Sequence, residues 1–325
     1  MRTLREAVGK TGENRIMENV EGKTAFITGG ASGMGLGMAK IFSAAGMKVV
    51  IADIREEALS KALESFDNTN VAVHGIQLDI TDRAAFARAA DEAEEVFGNV
   101  HVLVNNAGVG VVGPMEQATY ADWDFCLGVN LGGTVNGIQT FVPRMIAHGE
   151  GGHIVNNSSQ SGTFASGLAG IYIAAKFAVA GLSEALASDL EPHGIGVSVY
   201  FPGPVQTNLG ISTNETRPAH LSNSGYEARR PNVDGNGNQR PPYDPSVFMT
   251  PEEVGERVLR GIRRNDLFIL SHPEFREGMK ARCDALMRAI PDEPINEARK
   301  EALKHFGTLL YNPVYERQTT PGPLK

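Results

Sequence analysis

Thr24-Ala-Phe-Ile-Thr28, followed by Gly29-Gly-Ala-Ser-Gly33-Met-Gly35, decides how this chain folds. A short apolar run bounded by glycine reads as a buried strand. Helix-compatible residues continue from the glycines to Ala45, where Gly46 stops them. Strand, glycine turn and helix in that order make a pyrophosphate site, because bare backbone admits the ligand and a helix N-terminus faces it. No Gly-Lys-Ser/Thr closes the turn, which excludes a Walker loop. Lys48-Val-Val-Ile-Ala-Asp53 is the second strand. Asp53 stands about 20 residues after the glycines, where a carboxylate accepts hydrogen bonds from ribose hydroxyls. Its charge disfavours a 2′-phosphate, so NAD is expected rather than NADP. Arg55 could bind such a phosphate, but it reads as a solvated residue starting a helix.

The alternation continues outward from that unit. Arg55 to Phe66 suits a helix and Val71 to Leu78 a strand, and Thr81 is placed to cap a helix running towards Phe97. Val102-Leu-Val-Asn105 is a further buried strand, with Asn105-Asn-Ala-Gly108 at its C-terminal end, where open α/β sheets bind ligands. Thr119-x-x-Asp122 opens a long helix towards His148 that carries Asn130. Gly152 to Ser159 and Ile195 to Phe201 are strands flanking a helix from Leu168 to Leu190, and Pro202-Gly-Pro stops the last of them. Residues 209–248 are rich in Asn, Gly, Pro, Ser and Arg without apolar period, and read as a lid. Thr250-Pro-Glu-Glu253 starts another helix, with Thr as N-cap, Pro at the first helical position and Glu at the third. Leu267 to Leu270 is a seventh, edge-like strand, and residues 272–306 form a C-terminal helical extension. The pattern is an α/β doubly wound parallel sheet in one domain, residues 17–325. Met1 to Ile16 reads either as a disordered arm or as an upstream start codon.

Composition bounds the function. The 325 residues are 42% hydrophobic and 21% charged, an ordinary balance for a globular chain. A net charge of −8 without a Lys/Arg cluster argues against nucleic acid. No apolar run suggests a membrane span and no apolar leader opens the chain, so a cytoplasmic protein is expected. Cys126 and Cys283 read as buried thiols rather than a disulfide, and the eight His lack ligand spacing, so no metal is expected.

Chemistry is suggested by Tyr172-Ile-Ala-Ala-Lys176. Positions i and i+4 share one face of a helix, so phenol and ammonium can share a site. A free phenol titrates near ~10. A nearby ammonium favours the phenolate and makes it a general acid/base. Alone, such a pair is more often an exposed helical contact. Here Ser159 lies 13 residues upstream, after the apolar Ile154-Val155.

Together the glycine turn, Asn105-Asn-Ala-Gly108, Ser159, Tyr172-x-x-x-Lys176 and Pro202-Gly-Pro-Val-Gln-Thr207 resemble the short-chain dehydrogenase/reductase family over Met17 to Leu270. The resemblance implies a seven-stranded Rossmann sheet. It implies Tyr172 as proton donor or acceptor, Lys176 lowering its pKa and holding the nicotinamide ribose, Ser159 binding the substrate oxygen, and Asn130 ordering a water. For the cofactor it implies Gly29, Ser32, Gly33, Met34 and Gly35 at the phosphates and Asp53 and Ile54 at the ribose. Asp79 and Ile80 would flank the adenine, Asn106, Ala107 and Gly108 would line the cofactor, and Val205 and Thr207 would touch the carboxamide. Pro204 departs from the usual loop. A homodimer or homotetramer is implied, with the helices of Asn130 and Tyr172 as the interface.

Thr119-Tyr-Ala-Asp-Trp-Asp, Asn130 to Ile138, Arg217-Pro218 and Ser271 to Pro291 are further similar to bacterial Cα-dehydrogenases of lignin β-aryl ether breakdown. That similarity implies oxidation of a bulky benzylic secondary alcohol with NAD. A hydroxysteroid or another bulky hydrophobic alcohol is the alternative substrate. Two other classes compete: a non-catalytic NAD sensor or scaffold, disfavoured by the intact Ser159, Tyr172 and Lys176, and a sugar-nucleotide epimerase, disfavoured by the glycine spacing and short C-terminal region.

Overall fold

Apolar β-branched runs form the centre of a seven-stranded parallel sheet of order β3-β2-β1-β4-β5-β6-β7. The computed structural model describes residues 17–67, 69–222 and 244–324. The strands are β1 Thr24–Thr28, β2 Lys48–Asp53, β3 Val73–Gln77, β4 Val100–Asn105, β5 Gly152–Asn157, β6 Ile195–Phe201 and β7 Phe268–Leu270. Residues of β1, β4, β5 and β6 are buried throughout, as expected of strands covered on both faces. The order reverses between β1 and β4, and the C-terminal ends of those strands open the crevice where such sheets bind ligands.

The helices are α1 Gly33–Ala44, α2 Glu56–Glu64, α3 Arg83–Phe97, α4 Tyr120–Leu127, α5 Gly133–His148, α6 Gly170–Leu190, α7 Leu209–Thr216, α8 Pro251–Arg264, α9 Arg276–Arg288 and α10 Glu297–Leu303. One face of the sheet packs Ile27 and Ile51 against Met38 and Phe42 of α1 and Val258 and Ile262 of α8. The other packs Phe26, Val50 and Leu103 against Phe86 of α3 and Phe141 of α5, with the Phe26 and Phe141 rings 4.8 Å apart. α1 and α8 touch backbone to backbone: a Cβ at Gly37 would meet the Pro251 carbonyl oxygen at 2.1 Å.

Several local expectations change. Asp82 rather than Thr81 caps α3, its carboxylate accepting from the Ala84 and Ala85 N–H groups. The helix expected from Thr119 to His148 is interrupted by a π turn over Gly128–Gly132, which holds Asn130. Residues 209–248 do not begin as irregular chain, since Leu209–Thr216 is helical; residues 223–243 of that stretch, like the expected arm 1–16, lie outside the described residues. Cys126 is buried, but Cys283 is exposed on α9. Gly170–His193 is long and apolar enough to cross a membrane by length and composition. Here it is a core helix against β6, and it carries Lys176.

Candidate active site

A cavity of about 430 Å³ opens at the switch point between β1 and β4. It is lined by the glycine turn (Gly29, Ser32, Gly33, Met34), by Asp53 and Ile54, by Asp79 and Ile80, and by Asn106, Ala107, Gly108 and Thr207. Gly33 has a φ of 50° and Gly29 one of 62°, backbone that favours glycine. Gly35 lies under the turn rather than on the cavity wall, where a Cβ would strike the Gly29 carbonyl oxygen at 2.1 Å. Ser32 is the N-cap of α1 but its side chain makes no capping bond, and no acidic residue occupies the first turn. The N–H groups at that helix end thus face a cavity suited to a pyrophosphate.

Thr28 and Asn106 hold the turn. The Thr28 hydroxyl accepts from the Asn106 and Ala107 N–H groups at 3.0 and 3.1 Å. The Asn106 amide donates to the Thr28 and Gly29 carbonyls at 2.9 and 3.2 Å.

At the ribose end Asp53 is 6% exposed. Arg55 starts α2 as its N-cap, as expected from sequence, but its side chain is engaged rather than solvated. Its N–H and Nε donate to Asp53 Oδ1 at 3.1 and 3.2 Å, and Nη2 donates to the Ser32 hydroxyl at 2.7 Å. Glu215 of α7 lies 3.8 Å from Nη1. The guanidinium is therefore neutralised by carboxylates from two sides.

The catalytic candidates lie beyond the far end of this cavity. A Cβ at Gly108 would sit 3.6 Å from Lys176 Nζ and 2.8 Å from Asn130 Oδ1. Lys176 is 3% exposed, and its Nζ donates to the Asn157 carbonyl at 2.9 Å. That nitrogen is 5.5 Å from the centre of the Tyr172 ring. Burial pushes the Tyr172 phenol up to about 12, although a hydrogen bond with the Ser159 side chain opposes the rise. Burial likewise pushes Lys176 down to about 8. Loss of solvent thus moves both groups towards their neutral forms. Ser159 also accepts from the Ser161 N–H at 3.1 Å, which fixes its oxygen at the end of β5.

Asn130 is 1% exposed and pairs with Val109 as a peptide would, accepting from its N–H and donating to its carbonyl, both at 2.9 Å. Its amide also reaches Cys126 Sγ at 3.3 Å. Both polar ends of the side chain are thereby engaged in holding the loop after β4, so a water would have to be ordered from its backbone, where the carbonyl accepts from the Thr134 hydroxyl at 3.0 Å.

Four further side chains fix the backbone around the cavity; sequence marked Asp122 as part of a helix start and Arg217 only within a resemblance, and gave Thr213 and His272 no role. The Thr213 hydroxyl of α7 accepts from the Gly110 N–H at 2.8 Å. Arg217 donates to Asp122 Oδ1 at 2.7 Å and lies 5.2 Å from the centre of the Phe125 ring. Asp122 is fully buried and also accepts from the Thr119 N–H and hydroxyl at 2.8 Å. His272 straps the loop after β6: Nδ1 accepts from the Gly203 N–H at 3.1 Å, and Nε2 faces the Pro204 carbonyl at 3.0 Å. Of the two carboxamide candidates, Thr207 lines the cavity while Val205 bridges to Met249. Thr119-x-x-Asp122 was legible as a capping box; its second duty towards Arg217, 95 residues away, carries no local signal. Among the described residues no group of three or more His, Cys, Asp or Glu converges on a metal site.

A family model described as short chain dehydrogenase matches residues 23–218. The chain is 43% identical over 296 residues to a C alpha-dehydrogenase of Sphingobium sp. (strain NBRC 103272 / SYK-6), covering 90% of this chain and 95% of that one. It is similar to the LigD-apo crystal structure from Sphingobium sp. strain SYK-6, with 41% identity and a TM-score of 0.68 over 84% of this chain and 99% of that one. A short chain dehydrogenase/reductase from Burkholderia phymatum in complex with NAD superposes with a TM-score of 0.76 at 32% identity, over 86% of this chain and 99% of that one. With the sheet order, the glycine cleft and the Ser159, Tyr172 and Lys176 constellation, these likenesses establish that the chain belongs to the short-chain dehydrogenase family, whose members act on alcohols.

Proposed function

We propose that this protein oxidises a bulky aromatic secondary alcohol, benzylic and of the lignin β-aryl ether type, to its ketone with NAD. The observation that carries the chemistry is the placement of Ser159 at the end of β5 with Tyr172 and buried Lys176 one turn apart on α6, the Lys176 Nζ lying beside Gly108 of the cleft. The substrate class rests on 43% identity along 95% of a C alpha-dehydrogenase. NAD is favoured by Asp53, which is buried, pairs with Arg55, and meets a ribose better than a phosphate. When bound, the nicotinamide takes up the hydride.

The chain's own groups manage the proton. Ser159 holds the alcohol oxygen, and Tyr172 removes its proton as general base. Lys176, once its bond to Asn157 O is shared with a cofactor ribose, places positive charge by the phenolate. Asn130 keeps the loop after β4 in register through Val109. α7, whose Leu209, Ser212 and Thr216 line the cleft, excludes water from above. We read the protein as a cytoplasmic homo-oligomer, dimer or tetramer, acting on a small molecule.

The test is incubation of purified protein with NAD and guaiacylglycerol-β-guaiacyl ether, following NADH and the product. Formation of the α-ketone from at least one stereoisomer is expected. No ketone, alongside brisk oxidation of a hydroxysteroid, would move the substrate to the steroid class. No NADH from any secondary alcohol would favour a non-catalytic NAD-binding protein.

A further inference from the structure

The loop after β6 passes beside Ser159: the N–H of the next residue, Gln160, donates to the Pro202 carbonyl at 2.8 Å. Gly203 and Pro204 follow, and one side chain from beyond β7 answers both. His272 Nδ1 accepts from the Gly203 N–H at 3.1 Å, and Nε2 faces the Pro204 carbonyl at 3.0 Å. The Ser271 hydroxyl, which accepts from the Tyr200 hydroxyl at 3.3 Å, lies 2.8 Å from the same Nδ1. A ring nitrogen that accepts from a peptide N–H carries no proton, so Nε2 holds the hydrogen and donates it to Pro204. The imidazole thus pairs with one N–H and one carbonyl, as a neighbouring strand would. Its ring face is equally close, since a Cβ at Gly203 would meet His272 Cγ at 2.7 Å and Phe275 Cε2 at 2.6 Å. The Phe275 ring is centred 6.2 Å from that of Phe164, which stands between Ser159 and α6. Ser271 to Phe275 therefore braces the loop after β6 on one side and the loop after Ser159 on the other.

We propose that His272 is a positioning residue for the nicotinamide half of NAD, acting through the backbone of Gly203 and Pro204. His272 has this role only if the cleft takes NAD, the reading on which the proposal rests. Ser159 and Tyr172 stand beyond one end of the cleft, so the half of the dinucleotide that accepts hydride belongs at that end, where the β6 loop passes. The other half depends on other ties: Thr28 and Asn106 hold the glycine turn, and Arg55 pairs with Asp53. Downstream, the loop is pinned again at Gln206, whose N–H donates to the Met249 carbonyl at 2.9 Å and whose amide donates to the Phe248 carbonyl at 2.7 Å. Loss of the imidazole would therefore loosen the chain between Pro202 and Gln206 and leave the adenosine end seated. Small errors of orientation at the reacting end cost rate and affinity there. A merely structural tie would instead lower stability and weaken both halves alike.

ADP-ribose keeps the adenosine and the pyrophosphate and lacks the nicotinamide, so comparing its Kd with that of NAD isolates the reacting half. Titration calorimetry of the full chain with each ligand, beside thermal unfolding, is read on the parent, His272→Leu and His272→Gln. His272→Leu removes both bonds. NAD affinity should fall about tenfold, the size of a lost hydrogen bond or two, with ADP-ribose affinity unchanged. His272→Gln offers an acceptor and a donor on one planar group and should return most of the NAD affinity. A leucine variant that binds NAD as the parent does, or weakens both ligands equally, overturns the proposal, as does a glutamine variant no better than leucine. If His272→Leu fails to fold, His272→Asn is read the same way, since it keeps the acceptor towards Gly203 and loses the reach to Pro204. Weaker NAD with unchanged ADP-ribose then supports the clamp, and the parent's values overturn it. A parent that binds neither ligand refutes the NAD reading and the clamp together. A parent that binds both, with values that no variant moves, refutes the clamp alone.

Discussion

Lys176 Nζ donates to the Asn157 carbonyl oxygen at 2.9 Å, while the Tyr172 ring it is meant to serve is centred 5.5 Å away. The carbonyl belongs to the last residue of β5, two positions before Ser159. The strand that delivers the hydroxyl thus also anchors the ammonium, and the helix that carries the ammonium also carries the phenol. With burial pushing Tyr172 up to about 12 and Lys176 down to about 8, the phenol of the chain alone carries its proton at neutral pH.

Tyr172→Phe keeps the ring and removes the proton-transfer group, so turnover should fall by ~10²–10⁴-fold while NAD still binds. In the parent, kcat/KM for alcohol oxidation should rise with pH as the phenol loses its proton, and level off well below 12. Steady-state kinetics between pH 6 and 10, with NAD titrations of both proteins, check this. A flat profile, or a variant within a few-fold of the parent, removes Tyr172 from the mechanism.

Cofactor choice should reside in Asp53. Its carboxylate lines the cleft and neutralises Arg55. Asp53→Ser releases the guanidinium to a 2′-phosphate, so the preference for NAD over NADP, expressed as a kcat/KM ratio, should narrow sharply. Equal efficiencies in the parent would contradict the assignment.

Asp122 supports two structures at once. Burial raises its pKa, but bonds from Thr119 and Arg217 bring it below the usual carboxylate range. Asp122→Ala removes an N-terminal capping box and leaves Arg217 without this carboxylate. A loss of about 3 kcal/mol in denaturant unfolding is expected, with a raised KM for the alcohol. An unchanged unfolding midpoint would show the pair to be dispensable.

Acid should act through His153. It is 1% exposed, donates to the Ser198 hydroxyl at 2.7 Å, and burial holds it down to about 3. A depressed histidine contributes stability that is present above 6.5 and lost as pH falls from there towards 3. Between pH 7 and pH 5 the parent should lose about 2 kcal/mol from this group. His153→Gln cannot charge, so its own loss over that interval should be smaller. Unfolding curves at the two pH values decide; equal losses would place the acid sensitivity elsewhere.

The frame was legible because it is written locally. Buried β-branched runs, a glycine turn and the capping box Thr250–Glu253 each specify structure within a few residues, and the structure reproduces them. The π turn at Asn130 was not legible, since Leu127 to Gly133 continues a helical pattern and only the tertiary pull of Val109 explains the extra residue. Arg55 was misread for a similar reason: its acceptors come from the glycine turn, the second strand and α7, which meet only in space.

The carboxylate of Asp122 begins α4 and also grips Arg217 just past the end of α7. Residues 209–248 are therefore not a detachable cassette. Anyone exchanging that stretch between family members to change substrate range would disturb the start of α4, and through α4 the π turn that seats Asn130. A graft would have to travel with position 122, and with its Phe125 platform, to arrive working.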